Sequence, residues 1–107
     1  MKLKEYQELS SRTMPKGDEE LLTNWAFGLM GESGEFVDHL KKYLFHGHDL
    51  DIEYASKELG DILWYISAFC TTLGLDLSEV ATQNIEKLKR RYPEGFSERL
   101  SRERPEE

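Results

Sequence analysis

The chain has a single cysteine, Cys70, among 107 residues. It forms no internal disulfide, and it sits in an apolar run, where it reads as a small buried hydrophobe. No apolar run reaches the ~18 residues that a membrane-spanning helix needs, so no membrane contact is expected. The first residues, Met1-Lys2-Leu3-Lys4-Glu5, lack the apolar centre of a signal peptide. Basic residues are in deficit too: 14 Lys and Arg stand against 21 Asp and Glu, for a formal net charge of −7. General nucleic-acid binding needs a basic footprint and is not expected. A small phosphate ligand stays open, because a metal ion with a few local cations reverses the field within one cleft. Together these absences point to a cytoplasmic location.

What remains is one domain of modest size with a hydrophobic fraction of 38%, too high for disorder. A core from so short a chain is thin, and oligomerisation is plausible. Periodicity is helical throughout. Leu3, Tyr6 and Leu9 predict a short first helix that ends before Met14-Pro15-Lys16-Gly17. Asp18 suits an N-cap, with Glu19 and Glu20 in the favourable first turn. A second helix is predicted over about Glu19 to Leu44, burying Leu22, Trp25, Leu29, Phe36, Leu40 and Leu44. Gly28 and Gly31 fall on the side of its carboxylates and leave room for a ligand or a neighbouring backbone.

Gly47 suits the end of that helix, and Asp49 or Asp51 suits the next N-cap. His46 and His48 have metal-ligand spacing, but no Cys or third clustered His completes a zinc set. A third helix is predicted over about Ile52 to Leu73, with an inward stripe of Ala55, Leu59, Ile62, Ile66, Phe69, Cys70 and Leu73. Trp64 points roughly opposite that stripe, which suits a subunit interface or stacking on a base; the interface is favoured. Asp76 with Glu79 starts a fourth helix carrying Leu77, Val80, Ala81, Leu88 and Tyr92 inward. Asn84 interrupts that stripe, with Lys87 and Arg91 beside it. Pro93-Glu94-Gly95 stops the helix. Residues 1–96 are expected to form the domain, and the charged tail 97–107 is expected to be flexible.

Two acidic pairs organise the chain: Glu32-Ser-Gly-Glu35 and, 22 residues later, Glu58-Leu-Gly-Asp61. On a helix each pair projects from one face. A solvated face usually pairs Glu with Lys four residues on. Here Phe36, His39, Ile62 and Tyr65 occupy those positions. Four convergent carboxylates without cationic partners suit a hard divalent cation, Mg²⁺ or Mn²⁺, that handles phosphate. A di-iron centre would use Glu-x-x-His on two helices, and the fourth-position residues here are Glu35 and Asp61.

In order along the chain stand Gly28-Leu-Met-Gly-Glu32-Ser-Gly-Glu35, Glu58-Leu-Gly-Asp61-Ile-Leu-Trp64-Tyr65, and Asn84-Ile-Glu-Lys87-Leu-Lys-Arg-Arg91-Tyr92-Pro93-Glu-Gly95-Phe96. With Tyr6-Gln7 and Arg12-Thr13, this set resembles the MazG-like nucleoside triphosphate pyrophosphohydrolases of the all-α NTP pyrophosphatase superfamily. The resemblance implies an all-α fold, a helical bundle of about four helices completed by dimerisation, in a homodimer or homotetramer. It implies Mg²⁺, with Mn²⁺ as a substitute, on Glu32, Glu35, Glu58 and Asp61. These four are also the implied catalytic residues. Asn84, Lys87 and Arg91 match the residues near the substrate phosphates. The implied reaction converts a nucleoside triphosphate and water to the monophosphate and pyrophosphate. Some members carry a further Glu before the first motif acid. Here that position is Gly31, so the resemblance assigns no water-activating base. Two alternatives accompany this reading: a relative restricted to dUTP, dCTP or phosphoribosyl-ATP, and a non-catalytic helical interaction module.

Overall fold

The computed structural model describes residues 1–17 and 20–104. Among them are five helices and no strand: α1 (Leu3–Ser11), α2 (Glu20–Phe45), α3 (Ile52–Leu73), α4 (Leu77–Arg91) and α5 (Glu98–Glu103). The fold is all-α, as the periodicity predicts. The expected N-cap at Asp18, the first-turn placement of Glu19 and of the Glu20 side chain, and the end of the tail, 105–107, lie outside what is described.

Local chemistry sets the boundaries. The end of α2 is tied by the Lys42 carbonyl, which accepts from the backbone of His46 and His48. Gly47 supplies the positive φ of 74° that this turn requires. Asp51 caps α3 by accepting from the Tyr54 backbone at 3.0 Å. Gly74, at φ 72°, closes its other end in the left-handed region. Asp76 caps α4 by accepting from the Ser78 backbone at 2.8 Å. Within the tail expected to be flexible, Ser97 caps the six-residue α5, and Arg99 pairs with Glu103 at 2.9 Å.

Helices α2 and α3 form an antiparallel hairpin, and α1 lies against α3 and the start of α4. Gln7 joins these elements. Its Nε2 donates to Thr71 Oγ1 at 3.2 Å and to the Leu75 carbonyl at 2.9 Å. Its Oε1 accepts from the Leu77 backbone at 2.8 Å. The hydroxyls of Ser10 and Ser67 meet at 2.9 Å, and Ser67 is fully buried.

The inward stripe of α3 holds at buried Cys70 and at half-buried Ala55, Ile62 and Phe69, and fails at three positions. Leu59, Ile66 and Leu73 are 51%, 38% and 56% exposed. With Ile52, they form an outward row spaced by seven. The inner face of α3 instead carries Glu58, Tyr65, Ala68 and Thr72 toward α2. Trp64 is not on the far side either: it is half-buried, edge-on to Trp25 at 5.3 Å and to Tyr65 at 5.1 Å. Its Nε1 donates to Thr13 Oγ1 at 2.8 Å. On α2, Trp25, Leu29, Phe36 and Leu40 turn inward as expected, whereas Leu44 joins exposed Phe27, Met30 and Val37 outside. Among the described residues, the apolar side chains buried most deeply are only Trp25, Ala68, Cys70 and Leu77.

Candidate functional site

Antiparallel pairing of α2 and α3 fixes the site. Stepping three or four residues forward on α2 and back on α3 gives successive rungs. Gly28 faces Tyr65, Glu32 meets Asp61, Glu35 meets Glu58, and the His39 ring packs on Tyr54 with centroids 4.9 Å apart. Both acidic pairs therefore lie between two aromatic rungs. Each pair keeps its three-residue spacing on its own helix, which turns both carboxylates toward the seam.

Glu32, Glu58 and Asp61 each offer one carboxylate oxygen within 4.8 Å of the others. Glu58 is buried at 7% exposure, Glu32 half-buried and Asp61 exposed. One oxygen of Glu32 and one of Glu58, Oε2 in each, are buried without a hydrogen-bond donor. Glu58 is pushed up to about 7. The main cause is its hydrogen bond with Glu32, followed by burial and by the negative charges of Glu32 and Glu35. These causes all favour the protonated form of Glu58. An all-oxygen donor set with buried, unsatisfied lone pairs fits a hard divalent cation well.

Glu35 stands at the edge of this cluster. It acts on Glu58 by charge and hydrogen bonding, but is itself exposed. It also lines a cavity of about 260 Å³ with Asp38, His39, Lys42, His48, Asp51 and Tyr54. There Lys42 pairs with Asp38 at 3.1 Å, and His39 Nε2 accepts from the Asp51 backbone at 3.2 Å. A second cavity, of about 320 Å³, is lined by Glu32, Asp61, Trp64 and Tyr65.

The sequence pattern singles out Tyr6 only as a first-helix residue and as part of the resemblance, and it does not single out Tyr54. Partial burial, then the charges of Glu58, Glu35 and Glu32, raise the Tyr54 phenol above its ordinary range. Burial, then Asp61, raises Tyr6. Tyr54 precedes Glu58 by four residues, so helical spacing carries a signal for it. Tyr6 reaches the acids only through the packing of α1 on α3, which no local pattern reports.

Asn84 is exposed, and Lys87 and Arg91 are half-buried. Among the described residues, no hydrogen bond or ion pair links Asn84 or Lys87 to the carboxylates. Asn84 is expected to need a partner within an apolar stripe, but it stands exposed, where no buried partner is required. His46 and His48 join no group of three metal-ligating side chains among the described residues.

Comparison with known proteins places the acidic pairs within a recognised family segment. The family model described as the MazG nucleotide pyrophosphohydrolase domain matches residues 17–96. Over 81 residues the chain is 35% identical to the Gene 37 protein of Mycobacterium phage L5, covering 71% of this chain and 70% of that protein. No solved structure matches the chain.

Proposed function

Since the chain belongs to the MazG nucleotide pyrophosphohydrolase domain family, we propose that it hydrolyses nucleoside triphosphates, ribo or deoxy, to the monophosphate and pyrophosphate. Water attacks the α-phosphorus, and the α–β anhydride bond breaks. The observation that carries the reading is the cluster of Glu32, Glu58 and Asp61 with its two unsatisfied buried oxygens.

Glu32, Glu58 and Asp61 hold Mg²⁺, or Mn²⁺ in its place, with Glu35 as the adjoining fourth acid. When bound, the ion neutralises triphosphate charge and polarises the phosphorus centre. Glu58 must give up its proton to act as a ligand, so loading and deprotonation are coupled. Glu35 lies outside the three-oxygen cluster, and its carboxylate is free to take the proton of the attacking water. Asn84, Lys87 and Arg91 contact the phosphates, Lys87 as a point charge and Arg91 as a two-pronged donor. Trp64 and Tyr65 share a cavity with Glu32 and Asp61 and offer aromatic walls for the nucleobase.

A second copy of the chain completes the bundle, giving a homodimer or a pair of dimers. The support is shape and surface. The Cα radius of gyration is 17.0 Å, against roughly 13 Å for a compact chain of this length. The outward rows of α2 and α3 also leave large apolar side chains in water. Within each copy, residues 1–96 form the catalytic domain. A cytoplasmic location belongs to the same proposal; among the described residues no helix is long and apolar enough to cross a membrane.

The test is pyrophosphate release from a panel of NTPs and dNTPs with Mg²⁺ or Mn²⁺. Turnover of several would establish the broad activity, and turnover of one would narrow it. No release from any would leave the chain a non-catalytic module.

A further inference from the structure

Four glycines lie inside the long helices, and they are not alike. A Cβ on Gly31, Gly34 or Gly60 would meet nothing within 4 Å. A Cβ on Gly28 would overlap Cε1 and Cζ of Tyr65 and lie 2.7 Å from its hydroxyl oxygen. The Tyr65 ring thus rests on the backbone of α2 at the one glycine where helix propensity is given up for a contact.

The position of that contact matters. Gly28 is one turn before Glu32, and Tyr65 is one turn after Asp61. In the antiparallel hairpin, the Gly28–Tyr65 rung is therefore the immediate neighbour of the Glu32–Asp61 rung. The spacing of the helices at one rung constrains the next, because helix backbones are stiff over a single turn. On the other side of the acids, the His39–Tyr54 rung performs the same task through a ring-on-ring contact.

We propose that Gly28 is a positioning residue for the carboxylate cluster: by admitting the Tyr65 ring against α2, it sets the separation that brings Glu32, Glu58 and Asp61 onto one cation. This rests on the metal-site reading above and goes beyond it, since Gly28 touches neither metal nor substrate. A side chain at 28 displaces the ring or spreads the helices, and either change opens the cluster. Groups that orient ligands in this indirect way typically change metal affinity by about 10–100-fold when altered.

The experiment is direct titration of Mn²⁺ alone, read by its electron paramagnetic resonance signal, with helicity followed by circular dichroism. Wild type binds, and Gly28→Ala binds about tenfold or more weakly while remaining helical. In the Gly28→Ala background, Tyr65→Leu removes all three obstructing atoms and restores affinity to that of Tyr65→Leu alone. Tyr65→Phe keeps the two ring carbons and restores nothing. Wild-type affinity in Gly28→Ala overturns the proposal, as does equal rescue by Phe and Leu. Should Gly28→Ala not fold, the single variants decide. Tyr65→Leu must bind Mn²⁺ more weakly than Tyr65→Phe, and equal affinities overturn the spacer role. A wild-type chain that binds no Mn²⁺ overturns the metal site itself, a different failure from a Gly28→Ala variant that binds normally.

Discussion

The two faces of the α2–α3 hairpin differ less in apolarity than those of an ordinary helical pair, because polar groups share the inner face with Trp25, Leu29, Phe36 and Leu40. The inner face holds carboxylates, hydroxyls, two Trp indoles with bonded N–H groups and a tyrosine ring seated on glycine. The outer face holds Phe27, Met30, Val37 and Leu44 on one helix and Ile52, Leu59, Ile66 and Leu73 on the other, all exposed. Burying apolar area stabilises a fold by roughly 25 cal/mol per Å², so a single copy leaves much of its cohesion unused. On the proposed reading, the inside holds the ligand and the outside meets a second copy of the chain.

The largest effects should come from breaking the inner face. Asp61→Asn and Glu35→Gln each keep the helix and lower turnover by on the order of 10²–10⁴-fold. Steady-state pyrophosphate release, with circular dichroism as the folding check, measures this. Full activity in both variants would remove the acids from the mechanism.

A charge on the outer face should break the assembly instead. Ile66→Glu raises the dissociation constant of the oligomer by on the order of a hundredfold, as read by light scattering across a dilution series. If the mass is unchanged at every dilution, the outer face is not the contact between copies.

Glu58 sharpens the contrast through pH. Its folded value, about 7, lies above that of an unfolded glutamate. Between those two values the folded chain binds more protons than the unfolded one. The contribution of Glu58 to stability is therefore present below the ordinary Glu range and is lost as pH rises toward and through 7. The melting temperature of the metal-free wild type should fall over that window by more than that of Glu58→Gln. Saturating Mg²⁺ should remove most of the difference, since the ion stabilises the ionised form. A Glu58→Gln melting profile parallel to wild type would show that the site is not strained by its own charge.

The smallest effect belongs to a position that serves neither face. Gly31 is exposed, and a Cβ there meets open space. Gly31→Ala should raise stability by about 0.5–1 kcal/mol from helix propensity alone. Thermal melting would register this as a gain of a few degrees, and a loss would mean that Gly31 has a contact beyond the single chain.

Much of this is legible in the sequence. Asp51, Gly74 and Asp76 mark helix ends because their backbone and capping chemistry is local, and the i, i+3 acids share a face for the same reason. The inner face of α3 is less legible, because its most apolar residues do not all lie on it. A helix with two buried-type faces offers two apolar stripes, and Leu59, Ile66 and Leu73 outweigh Ala68 and Thr72 in hydrophobicity while lying outside. The expected placement of Trp64 depends on the same choice of stripe. The link between Asp61 and Tyr6, and the contact between Gly28 and Tyr65, depend on packing between distant segments. Helix α5 is too short for periodicity to reveal; a Ser97 cap and one ion pair mark it.

The amide of Gln7 carries a consequence for where this module begins. The family match starts at residue 17, yet the donor and acceptor that tie the α3–α4 corner belong to residue 7. Ser10 and Thr13 likewise satisfy buried Ser67 and the Trp64 indole. A chain trimmed to its matched segment would keep Glu32, Glu35, Glu58 and Asp61 and still lose the partners of five polar groups, on Ser67, Thr71, Leu75, Leu77 and Trp64. The first sixteen residues thus brace the back of α3, the helix that carries Glu58 and Asp61, from outside the segment that the family model matches.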